Sequence, residues 1–208
     1  MAVTGIGLFG FVVMHMLGNL QVFLGPEAIN KYAEFLKSTP ELLWPARIGL
    51  LGMVTVHVCA GISLAIESMQ AREQQYEVKR VVKATLASRT MVVSGLVVLS
   101  FIVFHLAHYT LLIVHPEYRN LHDELGRRDV YQMIVIGFSN NTVAGFYVVS
   151  IGLLCLHLSH GLSAMFQSLG LKNEAYADRI DCFAKIAAVA LFIGYISIPV
   201  AVQMGVVK

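Results

Sequence analysis

Charge is scarce in this chain. Only 13% of its 208 residues are Asp, Glu, Lys or Arg, while 57% are hydrophobic, and the mean hydropathy is +0.70. A soluble domain carries about 25% charged residues, so the composition excludes an ordinary water-soluble globule and predicts a polytopic membrane protein. The formal net charge of +2 is too small to hold nucleic acid, and no basic run interleaves with aromatics, so no nucleic-acid partner is expected. Cysteine is nearly missing. Cys59, Cys155 and Cys182 stand alone in or beside apolar segments. They form neither C-x-x-C nor C-x-x-C-H, which excludes covalent c-type haem attachment, gives no cysteine set for an iron–sulfur cluster and argues against a disulfide framework. No glycine-rich dinucleotide fingerprint is present either, so nothing here is built to bind NAD or FAD.

Long apolar runs are what the chain has instead. Five segments reach the roughly 20 residues needed to cross a hydrocarbon core; they read as 3–24, 46–68, 89–114, 142–168 and 183–204. A backbone in lipid must satisfy its own hydrogen bonds, so these are expected as helices. The fold expected is an all-α membrane protein, one transmembrane domain over 1–208 built as a five-helix bundle. Gly25-Pro26 closes the first span, Trp44-Pro45 opens the second, His115-Pro116 closes the third, and Pro199 is placed to kink the fifth near its end. Residues 1–24 lack a basic n-region and carry His15 and Asn19, which reads as a retained first helix, short of an upstream segment, rather than a signal peptide. Arg72, Lys79, Arg80, Lys83 and Arg89 are the densest basic cluster. They favour the cytoplasm for the loop between spans two and three, and so an N-terminus inside. The run PEAINKYAEFLK (26–37) has Ile29, Tyr32, Ala33 and Leu36 on one face, as an interfacial helix would.

Six of the eight histidines lie inside the apolar segments: His15, His57, His105 with His108, and His157 with His160. An ionisable side chain in hydrocarbon is costly and marks function by default. An internal repeat orders them. HVCAGISLAIES (57–68) aligns with HLSHGLSAMFQS (157–168) at an offset of 100, and VVMHML around His15 aligns with IVFHLA around His105 at an offset of 90. His15, His57, His105 and His157 are therefore equivalent, whereas His108 and His160 fall outside the repeat. One such histidine alone is best read as hydrogen-bonding a neighbouring helix. Four at repeat-related positions point to helices facing each other across metal, with haem iron the ligand-compatible choice. Four imidazoles supply two six-coordinate haems, each b-type because coordination alone holds it. Gly61 and Gly161, one turn beyond their histidines, offer room for a flat macrocycle, or simply close helix packing. His108 and His160 suit hydrogen bonding to propionate, water or quinone. His115 and His122 lie in a polar loop, and Cys59 and Cys155 read as small core residues.

These segments carry a family resemblance. MAVTG followed by VVMHMLGNLQVFLGPEAINKYAEFL, SRTMVVSG, FHLAHY and LHLSHGLSAMFQSLG together resemble the five-helix di-haem cytochrome b membrane anchor of succinate dehydrogenases and fumarate reductases, over nearly the whole chain. The resemblance implies haem-iron ligation by His15 and His105 (distal haem) and by His57 and His157 (proximal haem). It implies a flavoprotein subunit and an iron–sulfur subunit as partners, membrane lipid as surroundings, and electron transfer to or from a quinone, menaquinone being the expected type, in a prokaryotic cytoplasmic membrane. The dicarboxylate chemistry of the tricarboxylic acid cycle would belong to the partners, with no catalytic residue here. The chain departs from the fullest family pattern in lacking a basic N-terminal extension. Alternatives remain: the cytochrome b subunit of a hydrogenase or formate dehydrogenase, a histidine-lined proton-coupled transporter, or an anchor that has lost its haem. Transporters favour broken helices, and spans one to four show no interior proline.

Three further sites are expected. Arg89 is set to meet a proximal propionate with His160 and Ser163 as helpers, against the alternative of a solvated arginine. Residues 67–89 are basic and long enough to meet the iron–sulfur subunit. Asn30, Lys31, Tyr32, Trp44 and Arg47 offer donors and an aromatic wall for quinone at the outer end, in competition with a plain interfacial belt or an inner-side quinone site.

Overall fold

The computed structural model describes residues 1–71 and 90–208. Within them the chain is helical, with no strand and only one isolated bridge, between His122 and Arg128. Helix α1 (Ala2–Asn19) tightens into a 3-10 turn, Leu20–Leu24, and ends at Gly25. Gly25 has φ 96°, a left-handed value that a side chain would oppose. Pro26 then starts α2 (Pro26–Ser38) in the first turn, where its missing N–H costs nothing. The remaining helices are α3 (Pro40–Gln70), α4 (Met91–His105), α5 (Val130–Ser139), α6 (Asn141–Ser168) and α7 (Ala177–Gln203). Among the described residues, five helical segments are long and apolar enough to cross a membrane: Ala2–Leu24, Pro40–Gln70, Met91–Thr110, Asn141–Ser168 and Ala177–Gln203.

The bounds differ from the sequence reading in physically explicable ways. The second span opens at Pro40, not at Trp44-Pro45. Pro40 takes the first-turn role with Glu41 beside it, and Pro45 falls inside the helix, where it leaves a carbonyl without its intrahelical donor. An interior proline therefore exists in the first four spans after all, although α3 continues unbroken through it. The third span stops short of 114. Its α-geometry ends at His105, and Leu106–Thr110 form a π-turn. The chain then reverses at Leu112, whose φ of 53° is the one positive value among the described non-glycine residues. That conformation costs about 1–2 kcal/mol, and burial of Leu112 against Tyr118 and Met133 offsets it. The fifth span starts six residues early because Asp178 in its first turn complements the helix dipole. It runs through Pro199 to Gln203. The apolar helix α5 was not anticipated: at ten residues it is too short to span, yet it buries Tyr131, Met133, Ile134 and Phe138.

Among the described elements, helices α6 and α7 share the most extensive packing. Ile151 and Cys155 meet Ala188 and Leu191 there, with Phe9, Val12 and Met16 of α1 covering the cluster. A second core gathers Val22, Ile29, Tyr131, Ile134, Phe138, Tyr147 and Ile198. Ile29 is buried while Tyr32, Ala33 and Leu36 are half-buried on the same face of α2. Polar pairing locks α2 to the loop before α5. Arg127 donates to Glu27 at 2.6 Å and to Asp123 at 2.7 Å. The buried Asn30 amide donates to Asp129 at 3.0 Å and its carbonyl accepts from the Tyr131 amide at 3.1 Å. Asp129 in turn caps α5 by accepting from the Gln132 amide. By contrast α3 packs on α1, α2 and α4 yet buries none of its residues.

Candidate functional site

Four helices each carry one of the repeat histidines to the bundle interior, and the rings meet in pairs. His57 on α3 and His157 on α6 have centroids 6.4 Å apart at an interplanar angle of 62°. His15 on α1 and His105 at the end of α4 have centroids 5.7 Å apart at 84°. Metal–imidazole bonds of about 2.0–2.1 Å, with about 1.1 Å from nitrogen to ring centre, put two axial imidazoles on one metal about 6 Å apart. Both pairs have that spacing. Among the described residues no three His, Cys, Asp or Glu side chains gather, so the histidines meet as pairs rather than as a closed cage.

The second ring nitrogen of three of these histidines has an oxygen partner. Thr4 Oγ1 lies 3.1 Å from His57 Nδ1 and Ser94 Oγ lies 3.2 Å from His157 Nδ1. Tyr147 Oη lies 3.3 Å from His105 Nδ1 and 3.1 Å from His108 Nδ1. With Nδ1 facing an oxygen, Nε2 is the ring nitrogen available to a metal; a partner at the other nitrogen is what fixes tautomer and ring orientation in metal-bound histidine. The His15 ring stacks on Phe11 at 5.2 Å and meets Tyr195 at 6.4 Å. Tyr195 itself donates to the Val12 carbonyl at 2.7 Å.

Backbone also comes close to the His57 and His157 rings. A Cβ on Gly5 would lie 3.8 Å from His57 Cε1, and one on Gly95 would lie 3.4 Å from His157 Cε1. The glycines singled out in the sequence stand differently: Gly61 fronts the Met1 side chain at 3.6 Å, and Gly161 opens onto space with no atom within 4 Å. Thr4, Gly5, Ser94 and Gly95 were missed, although a signal existed. The offset of 90 that carries His15 onto His105 also carries Thr4-Gly5 onto Ser94-Gly95.

Other expected residues occupy separate places. Ser163 donates to Asp181 at 2.5 Å, and Lys172 donates to Asp181 at 2.7 Å and to Ser163 at 2.8 Å. His160 lies within electrostatic reach of Lys172 and Asp181, and Lys172 is a cation that the sequence alone did not single out. Arg89, with Arg72, Lys79, Arg80 and Lys83, lies outside the described residues, as does most of the 67–89 segment expected to meet a partner. Asn30 spends its amide on the α2–α5 junction described above, and Lys31 is exposed. Tyr32 covers Gly18, where a Cβ would come within 2.8 Å of its ring. Trp44 is exposed, with the Arg47 guanidinium 5.5 Å above its ring, a cation–π pair. His122 Nδ1 faces the Asn120 carbonyl, and His115 Nδ1 pairs with Glu117 at 2.6 Å.

His108 is fully buried. It stacks on Tyr109 at 4.0 Å, with His115 at 5.1 Å and Tyr118 at 6.0 Å. His108 Nε2, Tyr109 Oη and Tyr118 Oη are buried without a hydrogen-bond partner. The π-turn that begins at Leu106 turns His108 into this cluster; such turns accompany functional sites. Burial, with the neighbouring Glu117 carboxylate, pushes the Tyr118 phenol up to about 12, so it stays a neutral donor.

Compared with family models, with characterised proteins and with solved structures, the chain matches none of the three.

Proposed function

We propose that this chain is the haem-containing membrane anchor of a succinate:quinone oxidoreductase, carrying electrons between an iron–sulfur subunit and membrane quinone. The observation that carries the reading is the meeting of four repeat-related histidines as two pairs, each at the spacing of axial imidazoles. The motif resemblance supplies the rest. His57 and His157 would hold the proximal haem, and His15 and His105 the distal one. Two haems b, when bound, supply one-electron carriers in series across the bundle.

The chain's own residues do the remaining work. Thr4, Ser94 and Tyr147 orient ligand rings, Gly5 and Gly95 let backbone approach them, and α3 forms an outer wall. Lys172 joins Arg89 as a cation for inner propionates, with His160 alongside. Trp44 and Arg47 are the exposed aromatic and donor pair for quinone near the outer end. The flavoprotein subunit oxidises succinate, and the N-terminus is inside.

The test is purification of the tagged chain from its native membrane. Flavoprotein and iron–sulfur subunits should come with it, and succinate should reduce its b-type haems. Haems reduced by hydrogen or formate but not by succinate would replace this reading with the hydrogenase or formate dehydrogenase one.

A further inference from the structure

Thr4 and Ser94 perform the same act at opposite ends of one histidine pair. Each hydroxyl has a single proton, and each donates it within its own helical segment: Thr4 Oγ1 to the Met1 carbonyl at 2.9 Å, Ser94 Oγ to the Met91 carbonyl at 3.1 Å. What remains for the facing imidazole is an oxygen lone pair. With its proton so placed, each hydroxyl accepts from the facing ring, His57 Nδ1 at 3.1 Å and His157 Nδ1 at 3.2 Å, because a hydroxyl whose proton is used elsewhere offers only lone pairs. A neutral imidazole that carries its proton on Nδ1 leaves Nε2 bare. The glycine that follows each hydroxyl lies against the same ring, on the Cε1 edge. Hydroxyl and backbone together fix both the tautomer and the ring's rotation.

The element is duplicated. The offset of 90 between the first and third spans superposes Thr4-Gly5 on Ser94-Gly95, and the offset of 100 between the second and fourth superposes His57 on His157. In each half, then, a hydroxyl-glycine pair from one helix serves a histidine on the next. The distal pair is built otherwise: His105 meets the Tyr147 phenol, and His15 lies between the aromatic rings of Phe11 and Tyr195.

We infer that Thr4 and Ser94 are positioning residues for the proximal pair, holding His57 and His157 as Nδ1–H donors and thereby setting the electron-donor strength of both axial nitrogens. An imidazole that donates from Nδ1 to an oxygen gains partial anionic character, which raises its basicity at Nε2 and stabilises the ferric over the ferrous state. Removing the acceptor lowers that basicity. The reduction potential of the proximal haem then rises, and its retention weakens by about 10–100-fold, as for other outer-shell partners of metal-bound histidine. The inference rests on haem ligation by this pair.

The experiment is a redox titration with low-temperature electron paramagnetic resonance on the full chain in its native membrane complex. Wild type is compared with Thr4→Val, Ser94→Ala, the double variant, and the hydroxyl-retaining Thr4→Ser and Ser94→Thr. Thr4→Val keeps shape while removing the oxygen. Each oxygen-deleting variant should move the proximal haem's potential positive and shift its low-spin signal, the two effects should add in the double variant, and the distal haem should stay at its wild-type values. The hydroxyl-retaining variants should restore wild-type behaviour. Selective loss of the proximal haem in Thr4→Val or Ser94→Ala, restored by Thr4→Ser and Ser94→Thr, supports the inference equally. An unmoved proximal potential, or equal disturbance of both haems, overturns it while leaving haem ligation intact. A wild-type complex with no haem overturns ligation itself and the inference with it.

Discussion

His57 and His157 sit on helices related by the internal repeat, and their rings stand 6.4 Å apart, each with its Nδ1 facing a hydroxyl from a third or fourth helix. Four helices thus converge on one pair. The His15–His105 pair draws in α1 and α4 directly, with Tyr147 of α6 and Tyr195 of α7 behind them. Under the proposed ligation, deleting a ring removes one axial position and leaves the other unsupported. His57→Ala or His157→Ala should abolish one spectral component, and His15→Ala or His105→Ala the other. Reduced-minus-oxidised spectra of the four variants check this. If His15→Ala and His57→Ala removed the same component, the pairing would be wrong.

Gly18 and Gly194 predict opposite outcomes for the same substitution. A Cβ on Gly18 would press on the Tyr32 ring at 2.8–3.1 Å, and a ring cannot fold away. Gly18→Ala should displace α2 and destabilise the chain by about 1–3 kcal/mol, the usual range for overpacking. At Gly194 the added carbon would meet Met16 Sδ, the movable end of an adaptable side chain. Gly194→Ala should be near neutral, or stabilising by up to about 1 kcal/mol through helix propensity. Thermal unfolding of both variants in detergent makes the comparison.

How much of this was legible in the sequence depends on the length scale of the signal. The five spans were legible because a run of apolar residues is dictated by the membrane itself, whatever packs nearby. The amphipathic face of α2 was legible for the same reason: Ile29, Tyr32, Ala33 and Leu36 recur at helical spacing. The start of α3 was not, since Pro40 and Pro45 both suit a first turn and only the chain's path selects Pro40. The π-turn at Leu106–Thr110 was hidden because apolar residues continue on both sides of His108, Tyr109 and Thr110 up to Val114, and hydropathy does not report a change of helical pitch. Helix α5 was hidden by its length. At the site, the four histidines stood out through cost and repetition, whereas Thr4 and Ser94 did not. A hydroxyl near a helix start has many bland uses, and only the partner helix shows that its lone pair faces an imidazole.

Acid should loosen the junction between α2 and the loop before α5. The Arg127 guanidinium holds the Glu27 carboxyl below its ordinary range. At Asp123 burial pushes upward, and hydrogen bonds from the Arg127 side chain and amide outweigh it, so this carboxyl also lies low. A carboxylate held low in the folded state contributes stability that is complete above its unfolded pKa and is lost as pH falls through the folded value. Amide protection over 121–131, corrected for the intrinsic pH dependence of exchange, should therefore be high near neutrality and fall only below the ordinary carboxylate range. In Arg127→Met it should be low throughout. Because Glu27 is exposed, its share should be modest and should shrink further with salt.

Trp44 and Arg47 carry the proposed outer quinone contact. Arg47→Leu and Trp44→Ala should lower quinone turnover and inhibitor affinity while both haems keep their spectra. Normal turnover in both variants would move the quinone site elsewhere. The buried His108–Tyr109–Tyr118 cluster, with its three unpartnered polar atoms, would then be the next place to substitute.

The most direct test of haem ligation by these histidine pairs is a reduced-minus-oxidised spectrum of the purified chain, with haem extracted and counted against protein. Two non-covalently held b-type haems per chain are the expected result, and the count should fall to one in His57→Ala and in His15→Ala. A purified, folded chain that carries no haem, or whose haem content is untouched by substitution of all four histidines, would contradict it.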